Sequence, residues 1–285
     1  MPVLISVIVT TYNRPDALNA VLRGLSRQSD AAFEVIIADD GSRDDTRQLV
    51  ESWRGRVRGL AHVWQPDTGF RPGEARNLAV RASRGDYLIF LDGDCIPRAD
   101  FVARHRRLAR SGWLVAGNRI LLSADLTERV LREGLEPEQW RFGEIVHHRV
   151  SAGLNRLLPV LRLPMGILRH GRAGDWKGVR TCNMAVWRAD FMRVDGFDHA
   201  FNGWGREDSD LAVRLIHAGV RRADGRFATG VFHLWHREAD RGQLERHDER
   251  LAQTIATRRV QAVRGLSTLG GASADAACAS PRGTP

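Results

Sequence analysis

Through residues 4–94, short β-branched runs alternate with segments whose apolar positions recur at helical spacing. Leu4 to Thr10 predicts a strand, and after Tyr12-Asn13-Arg14-Pro15-Asp16 the segment Ala17 to Gln28 predicts a helix. Phe33 to Ala38 predicts a second strand, and Asp44 to Trp53 a helix with Leu49, Val50 and Trp53 on its apolar face. A strand around Leu60 to Val63 leads through a Gly/Pro-rich loop, Asp67 to Gly73, into a helix over Glu74 to Ser83. A fourth strand, Tyr87 to Leu91, ends at Asp92-Gly93-Asp94. Such alternation predicts an α/β fold, a mostly parallel sheet covered by helices.

Beyond about Gly117 the pattern loosens. Thr127 to Gly134 and Glu138 to Val150 are helix-like, and Leu154 to Arg172 mixes Leu, Ile, Val and Met with five basic residues. Thr181 to Trp187 then reads as a strand, Phe197 to Asp208 as a Gly/Trp loop, Ser209 to Ala218 as a helix and Gly230 to Trp235 as a short strand. After Gly265 the chain is rich in Ala, Ser, Gly and Pro, which predicts a disordered tail over 265–285.

Ligands of open parallel sheets bind beyond the carboxyl ends of the strands. Thr10, Thr11 and Tyr12, then Asp39 and Asp40, then Asp92 and Asp94 each follow a strand, so three segments can converge on one crevice. In Asp92-Gly93-Asp94 the glycine permits a tight backbone, and the hard carboxylate oxygens suit a divalent ion bridging two phosphates; the bland alternative is a solvated Asp-Gly turn. Asp39-Asp40-Gly41-Ser42 offers helix caps in Ser42 and Asp44, while Asp40 can accept the imide N–H of uracil. Arg71, Arg76 and Asn77 stand in the loop and helix start before the Asp-x-Asp strand, where guanidinium groups can reach a diphosphate.

Gly203-Trp204-Gly205-Arg206-Glu207-Asp208-Ser209-Asp210 places an indole between two glycines ahead of three carboxylates. An indole face stacks on a sugar ring, and an acid beside it can take a hydroxyl proton. Asp210 reads instead as an acid at a helix N-terminus. In His233-Leu234-Trp235-His236 two imidazoles can ligate manganese or zinc. Residues three apart on a strand face opposite sides, so one histidine alone is expected unless the chain turns between them.

Charge and composition sharpen the picture. Of 285 residues 43% are hydrophobic and 27% charged, as in a globular protein with a real core. The +9 excess, nearly all arginine, suits phosphate, carboxylate or anionic surfaces. Three cysteines, Cys95, Cys182 and Cys278, are too few for a disulfide framework, which points to a cytoplasmic setting. No stretch reaches the roughly 18–20 apolar residues of a membrane span, and the start lacks the charge of a signal peptide.

Together these residues resemble the family 2 glycosyltransferases, whose fold is the A-type nucleotide-sugar domain, and the second half is similar to the carboxyl-terminal segment of β-1,4-galactosyltransferases and chondroitin-type polymerases. The motifs are Ser6 to Arg14, Ile37 to Ser42, Glu74 to Asn77, Phe90 to Asp94 and Gly203 to Asp210, in that order. The resemblance implies a single Rossmann-like domain with a nucleotide-sugar-binding half (1–117), an acceptor-binding and catalytic half (118–237) and a helical extension (238–264). It implies inverting transfer of a hexose or N-acetylhexosamine, galactose-type favoured, from a UDP-sugar to a glycan or lipid-linked acceptor in polysaccharide or lipopolysaccharide synthesis. By the same resemblance Thr10, Tyr12, Asp39, Asp40, Arg76, Asn77, Asp92 and Gly93 hold the nucleotide-sugar. Trp204, Gly205 and Arg206 line the sugar and acceptor side, Glu207 and Asp208 form the acid pair with Asp208 as base, and Asp94, His233 and His236 bind Mn2+ (or Mg2+). Arg206 stands where the family often has glycine, and the Gln-x-x-Arg-Trp signature of processive synthases is missing.

Two other classes compete. A catalytically silent sugar-binding protein would bind nucleotide-sugar without turnover, although the chain keeps both Asp94 and Asp208. A basic nucleic-acid-binding module would fit the charge, but no binding motif, aromatic platform or concentrated basic arm supports it, so no nucleic-acid partner is expected. The segment 154–172 reads equally as a peripheral contact with an anionic membrane surface, at the inner face of the cell membrane, or as an acceptor-domain helix with solvated arginines.

Overall fold

A computed structural model describes residues 3–237 and 241–270. The expected alternation is present: β1 (Ile5–Thr11), α1 (Pro15–Ser26), β2 (Phe33–Asp39), α2 (Asp44–Ser52), β3 (Ala61–Trp64), α3 (Pro72–Ala82) and β4 (Tyr87–Asp92). The chain continues through β5 (Cys95–Pro97), α4 (Phe101–Leu108), β6 (Trp113–Ala116), β7 (Arg119–Leu121), α5 (Ala124–Arg132) and α6 (Phe142–Val150). Last come β8 (Asn183–Trp187), α7 (Arg188–Arg193), α8 (Glu207–His217), β9 (Arg221–Asp224), β10 (Val231–His233) and α9 (Leu244–Ala256).

Seven strands form one sheet in the order β3-β2-β1-β4-β8-β6-β9, with β8 antiparallel to both neighbours and the other pairs parallel. β1, β2 and β4 are buried on both faces, which is why they read as continuous apolar runs rather than alternating ones. Val7, Val9, Leu18, Leu22, Ile37 and Leu91 pack on one side of the sheet; Ile8, Ala79, Leu88, Phe90, Phe191 and Phe197 pack on the other. Both halves of the chain build this sheet, because β8 lies between β4 and β6.

A second sheet, β5-β10-β7, has β10 antiparallel to β5 and parallel to β7. Its register pairs His233 with Cys95, which carries the late histidine to the end of β4.

Three expectations are corrected. The segment 154–172 is not a helix but a strap with two short 3₁₀ turns, Leu158–Val160 and Gly166–His170. The helix expected from Ser209 begins at Glu207, so both acids of the pair sit in its first turn. Order also runs past 264: the Leu266 N–H donates to the Asp195 carbonyl at 3.0 Å, the Ser267 hydroxyl donates to the Asp195 carboxylate at 2.7 Å, and Leu266 is buried. The rest of the expected tail, 271–285, lies outside the described residues, as do 238–240 of the expected helical extension.

Candidate active site

The carboxyl ends of β1, β2 and β4 form the floor of a crevice, and α8 closes it from the side. At its centre is Arg76 on α3, almost fully buried. Its Nε donates to Thr10 Oγ1 at 2.8 Å, Nη2 to Asp92 Oδ1 at 3.1 Å and Nη1 to Glu207 Oε1 at 3.3 Å. One planar guanidinium thereby fixes the ends of β1 and β4 against the start of α8.

Just past the end of β2, Asp40 is buried, with Oδ1 accepting from Gln65 Nε2 at 2.6 Å and Oδ2 from the Arg71 N–H at 2.7 Å. Burial pushes its carboxyl up to about 6, against the pull of these donors. Its remaining lone pairs, and the buried Gln65 Oε1 that has no hydrogen-bond partner among the described residues, are the acceptors a base N–H would meet. Tyr12 is exposed at the rim, where its hydroxyl donates to Asp67 Oδ2 at 2.9 Å.

Two residues expected on the nucleotide are committed elsewhere. Asp39 is buried, its Oδ1 accepting from the Ser42 N–H at 2.7 Å and its Oδ2 lying 2.8 Å from His62 Nε2. It therefore holds the turn after β2. Asn77, one residue past Arg76 and so on another face of α3, pairs with the Phe197 backbone through both amide atoms, at 2.8 and 2.9 Å, and with His199 Nε2 at 2.7 Å. It anchors the loop that leads to Trp204.

Gly93 is a steric requirement, since a Cβ there would lie 2.9 Å from the Thr10 carbonyl oxygen that its own N–H reaches at 2.7 Å. The turn presents Asp94 to both histidines: His233 Nε2 is 3.6 Å from Oδ1 and His236 Nε2 is 3.3 Å from Oδ2. Both rings reach one carboxylate because β10 ends at His233, and the chain leaves the strand before His236. The alternation expected of an extended strand stops there.

Burial lowers the pKa of His233, keeping its imidazole neutral and able to ligate. Cys95, which sequence reasoning left out, donates Sγ–H to Asp94 Oδ1 at 3.4 Å, and burial raises its pKa well above the ordinary thiol value. It stands as a thiol beside the carboxylate. One carboxylate with two imidazoles is a mixed oxygen and nitrogen donor set that fits manganese, so the residues present fit such an ion.

Asp208, half-buried in the first turn of α8, accepts from the Ser209 N–H at 2.6 Å and the Ser209 hydroxyl at 3.2 Å. Burial and the neighbouring Glu207 charge push its carboxyl up to about 6, while Arg180, the Ser209 N–H and Arg76 pull the other way. Trp204, four residues earlier in the chain, has the Arg241 guanidinium 5.1 Å above its ring centroid and its carbonyl 3.3 Å from His247 Nδ1. Gly203 and Gly205 both have φ of +102° and Arg206 has +74°, so positive-φ residues flank Trp204 just ahead of α8. Arg206 is further tied to Asp248 on α9. Of the missed residues, Gln65 was accessible to the strand-end rule, since it follows β3 as Asp40 follows β2.

Residues 6–156 match the model of glycosyl transferase family 2. The chain belongs to that family. Residues 166–247 match a second model, described as the N-terminal domain of galactosyltransferase. The chain is 32% identical over 250 residues to validoxylamine A glucosyltransferase of Streptomyces hygroscopicus, covering 80% of this chain and 55% of the relative. It is 24% identical over 247 residues to chondroitin synthase of Escherichia coli, covering 79% and 34%. The chain thus spans about half or less of these relatives. Glucosyl-3-phosphoglycerate synthase of Mycobacterium tuberculosis, solved with Mn2+, UDP and glucosyl-3-phosphoglycerate, shares the fold at TM-score 0.52 and 20% identity, over 91% of this chain and 81% of that one. Among the described residues no helix is long and apolar enough to cross a membrane.

Proposed function

We propose that this family 2 member is an inverting glycosyltransferase that moves a hexose or N-acetylhexosamine, galactose-type favoured, from a UDP-sugar to a glycan or lipid-linked saccharide. The setting is the assembly of cell-surface polysaccharide or lipopolysaccharide, in the cytoplasm at the inner face of the membrane. The observation that carries the reading is Arg76, which joins Thr10 and Asp92 on the donor side to Glu207 on the acid pair. That link supports a reading in which nucleotide, sugar and acceptor meet in one crevice.

Asp40 and the open Gln65 oxygen take the uracil edge, with Tyr12 at the rim. Asp94, His233 and His236 hold Mn2+ (or Mg2+), which when bound supplies positive charge for a diphosphate. Trp204, with Gly205 and Arg206, forms the platform for the accepting sugar. Asp208 takes the proton of an acceptor hydroxyl; the oxygen attacks the anomeric carbon from the face opposite the diphosphate, and the bond from that carbon to the diphosphate oxygen breaks with inversion. A carboxyl titrating at about 6 is ionised at neutral pH and more basic than a free aspartate, as a general base should be.

Calorimetric titration of UDP into the purified chain, with and without Mn2+, tests the donor site. Manganese-dependent binding that disappears in Asp94→Ala is expected; absence of UDP binding with any divalent ion would overturn the uridine assignment.

A further inference from the structure

The start of β6 lies at the end of the sheet opposite the donor crevice, because β8 runs antiparallel to both β4 and β6. There, between α4 and the strap 158–170, is a second cleft of about 510 Å³. Among the described residues five arginines line it, Arg104 and Arg107 from α4, Arg110 just beyond, and Arg162 and Arg169 from the strap, and no carboxylate does. Its aromatic wall is Trp113, with His170 stacked at 4.3 Å and Arg110 at 5.3 Å.

These charges are poorly compensated from within. Asp100, behind the cleft, is shared by Arg104 and Arg162, each at 2.9 Å. Arg162 Nη1 is buried without a hydrogen-bond partner among the described residues. Arg169, itself 8% exposed, is held by the carbonyls of Asp224, Arg226 and Leu163 rather than by an acid. Arg107 and Arg110 have neither a hydrogen bond nor an ion pair to their side chains among the described residues.

The rim has the opposite character. Leu163 lines the cleft, and Ile167 and Leu168 lie between its lining residues Gly166 and Arg169; all three are exposed, Ile167 by 82% and Leu168 by 72%. Neighbouring large aliphatic residues left in water mark an interaction surface. Aliphatic side chains beside arginines suit the boundary between headgroups and acyl chains, where the apolar groups sink and the guanidiniums meet phosphate. A single-stranded nucleic acid would call for exposed aromatic rings on which bases stack, and the only indole at the cleft, Trp113, is buried beneath His170.

We propose that this cleft is a membrane-docking site that binds the phosphate of an anionic phospholipid headgroup through Arg107 and Arg110, while Ile167 and Leu168 enter the acyl boundary. It gives the peripheral location in the functional reading a physical site, and its test is independent of the donor crevice. A chain docked here keeps the crevice, at the far end of the sheet, free to take a nucleotide from solution.

Sedimentation of the full chain with vesicles at physiological salt decides it. Binding is expected to phosphatidylcholine vesicles containing phosphatidylglycerol and not to phosphatidylcholine alone. Arg107→Ala/Arg110→Ala and, separately, Ile167→Ser/Leu168→Ser should each reduce the bound fraction at least fivefold, while UDP binding by calorimetry stays at the parent value. No binding of the parent to anionic vesicles would overturn the proposal. So would loss in the arginine variant alone, which would mark charge attraction to an anionic surface without entry of the aliphatic side chains. Failure to bind UDP together with intact vesicle binding would sink the uridine donor and leave the docking site standing.

Discussion

Arg76 and Glu207 are 131 positions apart in the chain and 3.3 Å apart in space. The contact joins α3 to the first turn of α8, which bears Glu207 and Asp208. Replacing Arg76 with Ala removes the ion-pair partner that Asp92 and Glu207 share. The variant is expected to lose about 1–3 kcal/mol of stability and nearly all transfer, read as a drop in thermal midpoint and in UDP release. Arg76→Lys, which cannot bridge three acceptors in one plane, should recover charge and stability better than activity.

The acid limb of the pH profile should follow Asp208. Its carboxyl is raised to about 6, so transfer increases as pH rises through 6 and reaches a plateau above 7. The same shift has a stability sign: the folded chain binds this proton more tightly than the unfolded one, so Asp208 contributes less to stability as pH rises from about 4 to 6. Asp208→Asn should therefore be no less stable than the parent at pH 7.5 while losing turnover. A lower thermal midpoint would contradict this.

Asp40, also raised to about 6, must be ionised to accept a base N–H at full strength. UDP affinity is expected to weaken as pH falls from 7 to 5, and to lose this dependence in Asp40→Asn; calorimetry across that range reads both.

His233 is nearly buried and His236 is exposed on the other side of the same carboxylate. Each change to Ala should reduce Mn2+ affinity by about tenfold or more, the range seen when groups supporting a metal are removed. The loss should be greater for His233, whose ring is fixed by β10. Electron paramagnetic resonance of free Mn2+ measures it without turnover.

Arg206, at φ +74°, is a side chain in a conformation that favours glycine. Arg206→Ala and Arg206→Gly both remove the tie to Asp248, but only glycine is free of the backbone cost. The glycine variant should be the more stable of the two by about 1 kcal/mol, read by denaturant unfolding.

The parallel core was legible because β1, β2 and β4 are covered on both faces and carry unbroken apolar runs, and the strand-end rule found Asp40, Asp92 and Asp94. What escaped was built from residues that do not look like strands. β9, Arg221–Asp224, has two arginines in four residues, and it joins the sheet because Arg222 donates to the carbonyls of Asp175 and Lys177 while Ala223 fills the core. β6 is four residues long and β5 and β7 are three each, too short for periodicity to register. Asp39 and Asn77 show the limit of motif reading: each adjoins a residue that faces the crevice, but its own side chain holds a turn or a loop. The meeting of His233 and His236 depends on where β10 ends, a property of strand pairing and not of local spacing.

The central claim is that Asp208 is the base of a sugar transfer in this crevice, and the most direct measurement is UDP release from a panel of UDP-hexoses and UDP-N-acetylhexosamines with Mn2+ and saccharide acceptors, by the parent and by Asp208→Asn, with UDP binding measured on both. The account predicts turnover by the parent on at least one donor and a loss of about a hundredfold or more in the variant, the scale of general-base catalysis, at unchanged UDP affinity. Comparable turnover by parent and variant would contradict it.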